Sequence, residues 1–206
     1  MRSVDRAWKA VLSWLDEPEP SARGFRSLLD ACEVESSAAL SRLPLEEELG
    51  HLELWLLEQL QAEPEESKGR PLWFRLRPQM WQERPDGGEL VLECASESRF
   101  APATEFSEPI ARAGCTTPSA VLQTLLHAAG RAREDHQREL LEGPLAVGAI
   151  AWSAQRIVER VASPLLYGDF DRRLVLVGHD GGPALSLGHC AADAWYRDAV
   201  VLLSDR

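Results

Sequence analysis

The stretch RRLVLVGHDGGPALSLGHC, Arg172 to Cys190, decides how the rest of the chain is read. It crowds His179, Asp180, His189 and Cys190 together, which invites a metal or catalytic site. It also sets two leucine-rich runs on either side of His-Asp-Gly-Gly. Asp-Gly between such runs is a strong hairpin signal, because glycine takes positive φ without steric cost. A hairpin of Leu174–Gly178 with Pro183–Gly188, closed by a two- or four-residue loop, sets Val177 opposite Ala184 and Leu176 opposite Leu185. His179 then sits at the tip, and His189 falls opposite Arg172. That is about seven residue pairs, and at ~3.3 Å each the two imidazoles stand ~20 Å or more apart. Zinc needs its nitrogens ~2 Å from one ion. His189 and Cys190 are strand neighbours facing opposite ways, which is wrong for a thiolate–imidazole pair. The stretch therefore reads as a turn between strands, with no metal site and no cofactor.

A similar signal lies upstream. In PLWFRLRPQMWQERPDGGELVLECAS, Leu72, Phe74 and Leu76 alternate with Trp73, Arg75 and Arg77 before Pro-Asp-Gly-Gly. Leu90, Leu92 and Cys94 alternate with Val91 and Glu93 after it. Pro78 lacks an amide donor, so the first strand is expected to bend there or lie on an edge. Both hairpins carry Asp-Gly-Gly, but turns of this kind select those residues, so the echo is not evidence of duplication.

Helical periodicity fills the remainder. Val4, Trp8, Val11, Leu12 and Leu15 predict a first helix, stopped by Glu-Pro-Glu-Pro. Phe25, Leu28, Leu29 and Cys32 predict a second helix or a broken pair. Pro44 and Glu46–Glu48 open a third, whose stripe is Leu45, Leu49, Leu52, Leu56 and Leu60. Residues 96–114 lack a period and read as loop. A helix with a threonine cap and Pro118 just inside follows, and a strongly apolar, central helix restarts at Pro144. The last stretch, AWYRDAVVLLSDR, predicts a short helical turn and then a strand. The fold class is α+β: an N-terminal helical segment, then two hairpins in a largely antiparallel sheet packed against two to three helices. The polar break Ala62–Pro71 suggests a helical segment over 1–66 and an α+β domain over 67–206, or one domain holding both.

Bulk properties narrow the function. The chain has 206 residues and a formal net charge of -11. Such a surface repels phosphate backbones and anionic membranes, so neither a nucleic acid nor a membrane is an expected partner. No run approaches the ~18 apolar residues of a membrane span, and no apolar core of a signal peptide opens the chain. The four cysteines, Cys32, Cys94, Cys115 and Cys190, form no C-x-x-C pair and no disulfide framework. A soluble cytoplasmic protein with reduced thiols is expected. No phosphate-binding loop, dinucleotide fingerprint, zinc-protease or nucleophile-elbow motif is present.

Few residues remain as site candidates. Cys115 precedes a helix N-terminus, where amides and the dipole lower a thiol pKa. His179 and Asp180 crown the second hairpin. His127 is read as a core-edge histidine, and His136 lies in a charged, solvated run. Between Arg42 and Lys68 the chain places eight glutamates and no lysine or arginine. Glu46, Glu47, Glu53 and Glu58 could form an acidic face for a basic protein. Trp73, Arg75 and Trp81, on or near the first hairpin, are residue types favoured at interfaces. The leading expectation is a non-enzymatic, acidic interaction protein, such as an inhibitor or immunity-type protein or an accessory subunit. The alternative is a hydrolase or transferase using Cys115 or the His179–Asp180 loop. A small-ligand sensor is a third.

Overall fold

The computed structural model describes residues 3–17, 21–34, 37–61, 72–78, 90–96, 111–112, 119–160, 172–179, 184–191 and 194–202. Four helices come first: α1 (Ser3–Leu15), α2 (Ala22–Cys32), α3 (Ser37–Leu40) and α4 (Leu45–Gln61). Strands β1 (Leu72–Pro78), β2 (Leu90–Ser96) and β3 (Ala111–Arg112) follow. Next come α5 (Ala120–Arg131), α6 (Asp135–Leu140) and α7 (Gly148–Arg160), and then β4 (Arg172–His179), β5 (Ala184–Ala191) and β6 (Trp195–Leu202). The architecture is mixed α+β, as the alternation of periods implied. The broken pair after Glu-Pro-Glu-Pro is α2 and α3, separated by Glu33 at a left-handed φ of 50°.

The strands form one sheet in the order β3-β2-β1-β4-β5-β6. Both hairpins are present, β1 with β2 and β4 with β5, and β1 joins β4 in the one parallel pairing among the described residues. Parallel neighbours need a long crossover, and the helices α5–α7 lie between the two hairpins in the chain. Leu72, Phe74, Leu76, Val175, Val177, Leu185, Leu187 and Cys190 turn one sheet face into a core shared with helices from α1 to α7. The leucine stripe of α4 is buried in that same core, so residues 3–61 and the sheet have one hydrophobic interior. Pro78 sits at the end of a central strand rather than on an edge, and pairing with β4 has already stopped at Leu76.

Three local expectations are corrected. The second hairpin is not regular. Val177 faces Leu185 and Gly178 faces Ala184, one residue away from the expected register. A bulge at Leu187 then moves Val175 opposite Gly188 and His189 opposite Leu174, not Arg172. Gly188 makes this possible. Its φ is 133°, and a Cβ there would lie 2.1 Å from the Tyr196 carbonyl oxygen, so only glycine fits.

Second, the helix does not restart at Pro144. It runs unbroken from Asp135 to Arg160, with a π-helical segment over Leu141–Val147. Proline cannot donate to the preceding turn, and a widened turn accommodates it without ending the helix. The segment is almost wholly buried, and α1 packs closely across its end, Val11 lying 3.2 Å from where a Cβ on Gly148 would stand. Third, α5 is capped by Ser119, not by a threonine with Pro118 inside: Leu122 N donates to Ser119 Oγ at 3.5 Å. Residues Trp195–Leu202 form β6, without the expected helical turn.

Polar side chains tie the ends of the molecule together. Arg197 on β6 donates to the carbonyls of Leu15 and Glu17 at 3.1 and 2.8 Å and pairs with Glu159. Gln155 donates to the same Leu15 carbonyl at 3.0 Å. These bonds satisfy carbonyls at the C-terminus of α1 that no helical amide can reach.

Candidate functional site

At 100° per residue, Glu47, His51, Leu54 and Glu58 form one stripe on α4, opposite its leucine stripe. All four are exposed, and Leu54 is 60% exposed, the most exposed large apolar side chain among the described residues. Glu46, also exposed, flanks the stripe at its start. Glu46, Glu47 and Glu58 have no ion-pair partner among the described residues. Beside Glu46 and Glu47, an open cleft of about 650 Å³ separates α4 from α2, whose Arg23 and Arg26 line the far wall.

The other glutamates of this helix are engaged within the fold. Glu53 is only 13% exposed and receives Arg156 Nε at 2.9 Å and the Arg160 guanidinium. Arg156 in turn lies 4.6 Å over the ring of Trp152, which stacks on Trp14. Glu53 is therefore a tie between α4 and α7, and its two arginines are the basic residues the local sequence lacked. Glu48 accepts from Ala120 N at 2.6 Å, helping to cap α5 across 72 residues of chain.

The aromatic candidates divide differently. Trp73 is 9% exposed and stands beside Leu176 in the parallel ladder, so the face opposite the helices is closed at this point. It does not offer an open contact surface. That face opens toward β6, where Tyr196 is 44% and Val200 45% exposed. Tyr196 stacks on His189 at 5.0 Å between ring centroids. Arg75 stands opposite Glu93 in the β1–β2 ladder. Trp81 lies outside the described residues.

Cys115 and Asp180 lie outside the described residues. His179 ends β4, one position past Gly178. His189 opposes Leu174, five positions before His179, so the two residues stand ~17 Å apart along the strand, still too far to share an ion. Cys190 belongs to the core while His189 lies half-buried on the other face, so these neighbours diverge as strand geometry requires. Burial pushes the Cys190 thiol up to about 11, although Arg173 opposes the shift, and burial alone lifts Cys32 to about 11. Neither thiol is a nucleophile near neutral pH.

The residue missed in sequence is Leu54. Its signal was available, because it falls outside the leucine stripe and projects from the opposite side of α4. Among the described residues no helix is long and apolar enough to cross a membrane. Compared with protein-family models, with curated proteins and with solved structures, the chain matches none.

Proposed function

We propose that this protein is an interaction protein that binds a basic protein segment along the outer face of α4. Leu54 makes the apolar contact, and Glu46, Glu47 and Glu58 supply the charge. The exposure of Leu54 between carboxylates that have no ion-pair partner among the described residues is the observation that carries this reading. An apolar anchor ringed by polar groups is the usual anatomy of a contact patch. Glu53 is not part of it, because its charge is already balanced by Arg156 and Arg160. An inhibitor or immunity-type protein covering a basic target fits this arrangement, as does an accessory subunit of a larger assembly.

The test is capture from the native host with tagged wild-type protein and with Glu47→Arg/Glu58→Arg and Leu54→Asp variants, at low and high salt. A specific partner should be retained by wild type at low salt and reduced at least tenfold by either variant. Charge reversal should also remove most of the salt dependence. Equal capture by wild type and both variants rejects this face as the binding surface.

A further inference from the structure

The outer side of α5 carries a second, unlike surface. Opposite the buried Val121, Leu122, Leu125, Leu126 and Ala129, the helix presents Thr124, His127 and Arg131 at spacings of three and four. His127 is thus exposed and turned away from the core, contrary to its expected place at the core edge. With Gln137 of α6, these residues line a cleft of about 300 Å³ whose apolar wall includes Ala128 and Leu141.

Every polar side chain lining this cleft can donate a hydrogen bond, and none is a carboxylate. In a chain of net charge -11 that is a local reversal. Nearby acids are engaged elsewhere: Glu134 lies 3.2 Å from His136, and Asp135 lies 3.7 Å from Arg138. Among the described residues neither His127 nor Arg131 has an ion-pair or hydrogen-bonding partner. An arginine in the last turn complements the helix dipole by itself. That accounts for Arg131 alone, not for an imidazole and a hydroxyl aligned one and two turns behind it.

We propose that this cleft binds a small oxyanion, a carboxylate or phosphate group on a compact molecule. The Arg131 guanidinium grips it in a two-pronged contact. His127 and Thr124 complete the donor set, Gln137, whose Nε2 lies 3.3 Å from His136 Nε2, lines the rim, and the apolar wall covers the remainder of the ligand. The carbonyl end of α5 disfavours an anion nearby, so the charge of Arg131 is essential here. The cleft is open, so a bare anion should bind with a Kd on the order of 1 mM.

The experiment is a ¹H–¹⁵N NMR titration of the full chain with sodium phosphate, sodium acetate and sodium chloride at matched ionic strength. Saturable shifts at the amides of residues 124–132 and 137 are expected with phosphate, acetate or both, and not with chloride. Saturation by one oxyanion alone identifies which group the cleft takes. Arg131→Ala should raise the Kd at least tenfold, and Arg131→Lys should give an intermediate loss, because a lysine lacks the planar fork. The same spectra report whether each variant is folded. Shifts that never saturate, that chloride reproduces, or that persist unchanged in Arg131→Ala overturn the proposal.

Discussion

Glu53 and Glu58 are five residues apart on one helix and look alike in sequence, yet their surroundings separate them. Glu53 joins α4 to α7 through two arginines, while Glu58 faces solvent. Glu53→Ala should cost about 1–3 kcal/mol in urea denaturation at neutral pH, because it leaves two guanidiniums against each other without their counter-charge. Glu58→Ala should change stability by less than about 0.5 kcal/mol. Equal effects would show that the ion pair contributes nothing beyond an exposed glutamate. The glutamates of α4 were legible as an acidic helix face. Which of its members are neutralised was not, because Arg156 and Arg160 are about a hundred residues away and a helical wheel sees only its own helix. Trp73 shows the same limit: alternation fixed the side of the strand it leaves from, but not that the side is covered. Leu54, by contrast, could be read from its angle on the wheel.

At the scale of elements, helix and strand types followed from period and composition, and both hairpins from their turn chemistry. What escaped was local departure from regularity. The β5 bulge shifts register by one residue without changing the alternation that announces a strand, so the pattern alone could not reveal it. The proline-bearing π turn escaped because proline usually ends a helix. Gly188 is where the bulge is most easily tested. Gly188→Ala drives a methyl into the Tyr196 carbonyl at a backbone angle that alanine resists. A loss of about 3 kcal/mol or more is expected. Hydrogen exchange at β5 and β6 amides should accelerate before that at α4 and α7. Wild-type stability in this variant would mean that the bulge can relocate. Of the proposed sites, the acidic face was partly visible in sequence. The α5 cleft was not, because Gln137 and Leu141 reach it only after the chain turns between α5 and α6.

For the whole molecule, two buried thiols make stability depend on alkaline pH. Both Cys32 and Cys190 rise from 9.0 to about 11 on folding. Below pH 9 folded and unfolded chains both hold these protons, and the contribution to stability is complete. Between pH 9 and 11 the unfolded chain releases them first, so stability falls as pH rises. Urea midpoints measured across that window should decline in wild type and decline less steeply in the Cys32→Ala/Cys190→Ala double variant. Parallel slopes would assign the decline to other groups.

The parallel seam between β1 and β4 also dictates how the molecule is made. Each hairpin closes over a short span and can form early, from local contacts alone. The seam joins residues roughly a hundred positions apart, and forming it first would carry a large loop-closure cost. It must wait until the helices between the hairpins have drawn the two halves of the sheet together. During synthesis the first hairpin therefore emerges with one edge of β1 unfilled, and it stays a half-sheet until β4 has been released. In that interval a matching strand from another nascent copy is the natural competitor for the place that β4 will take.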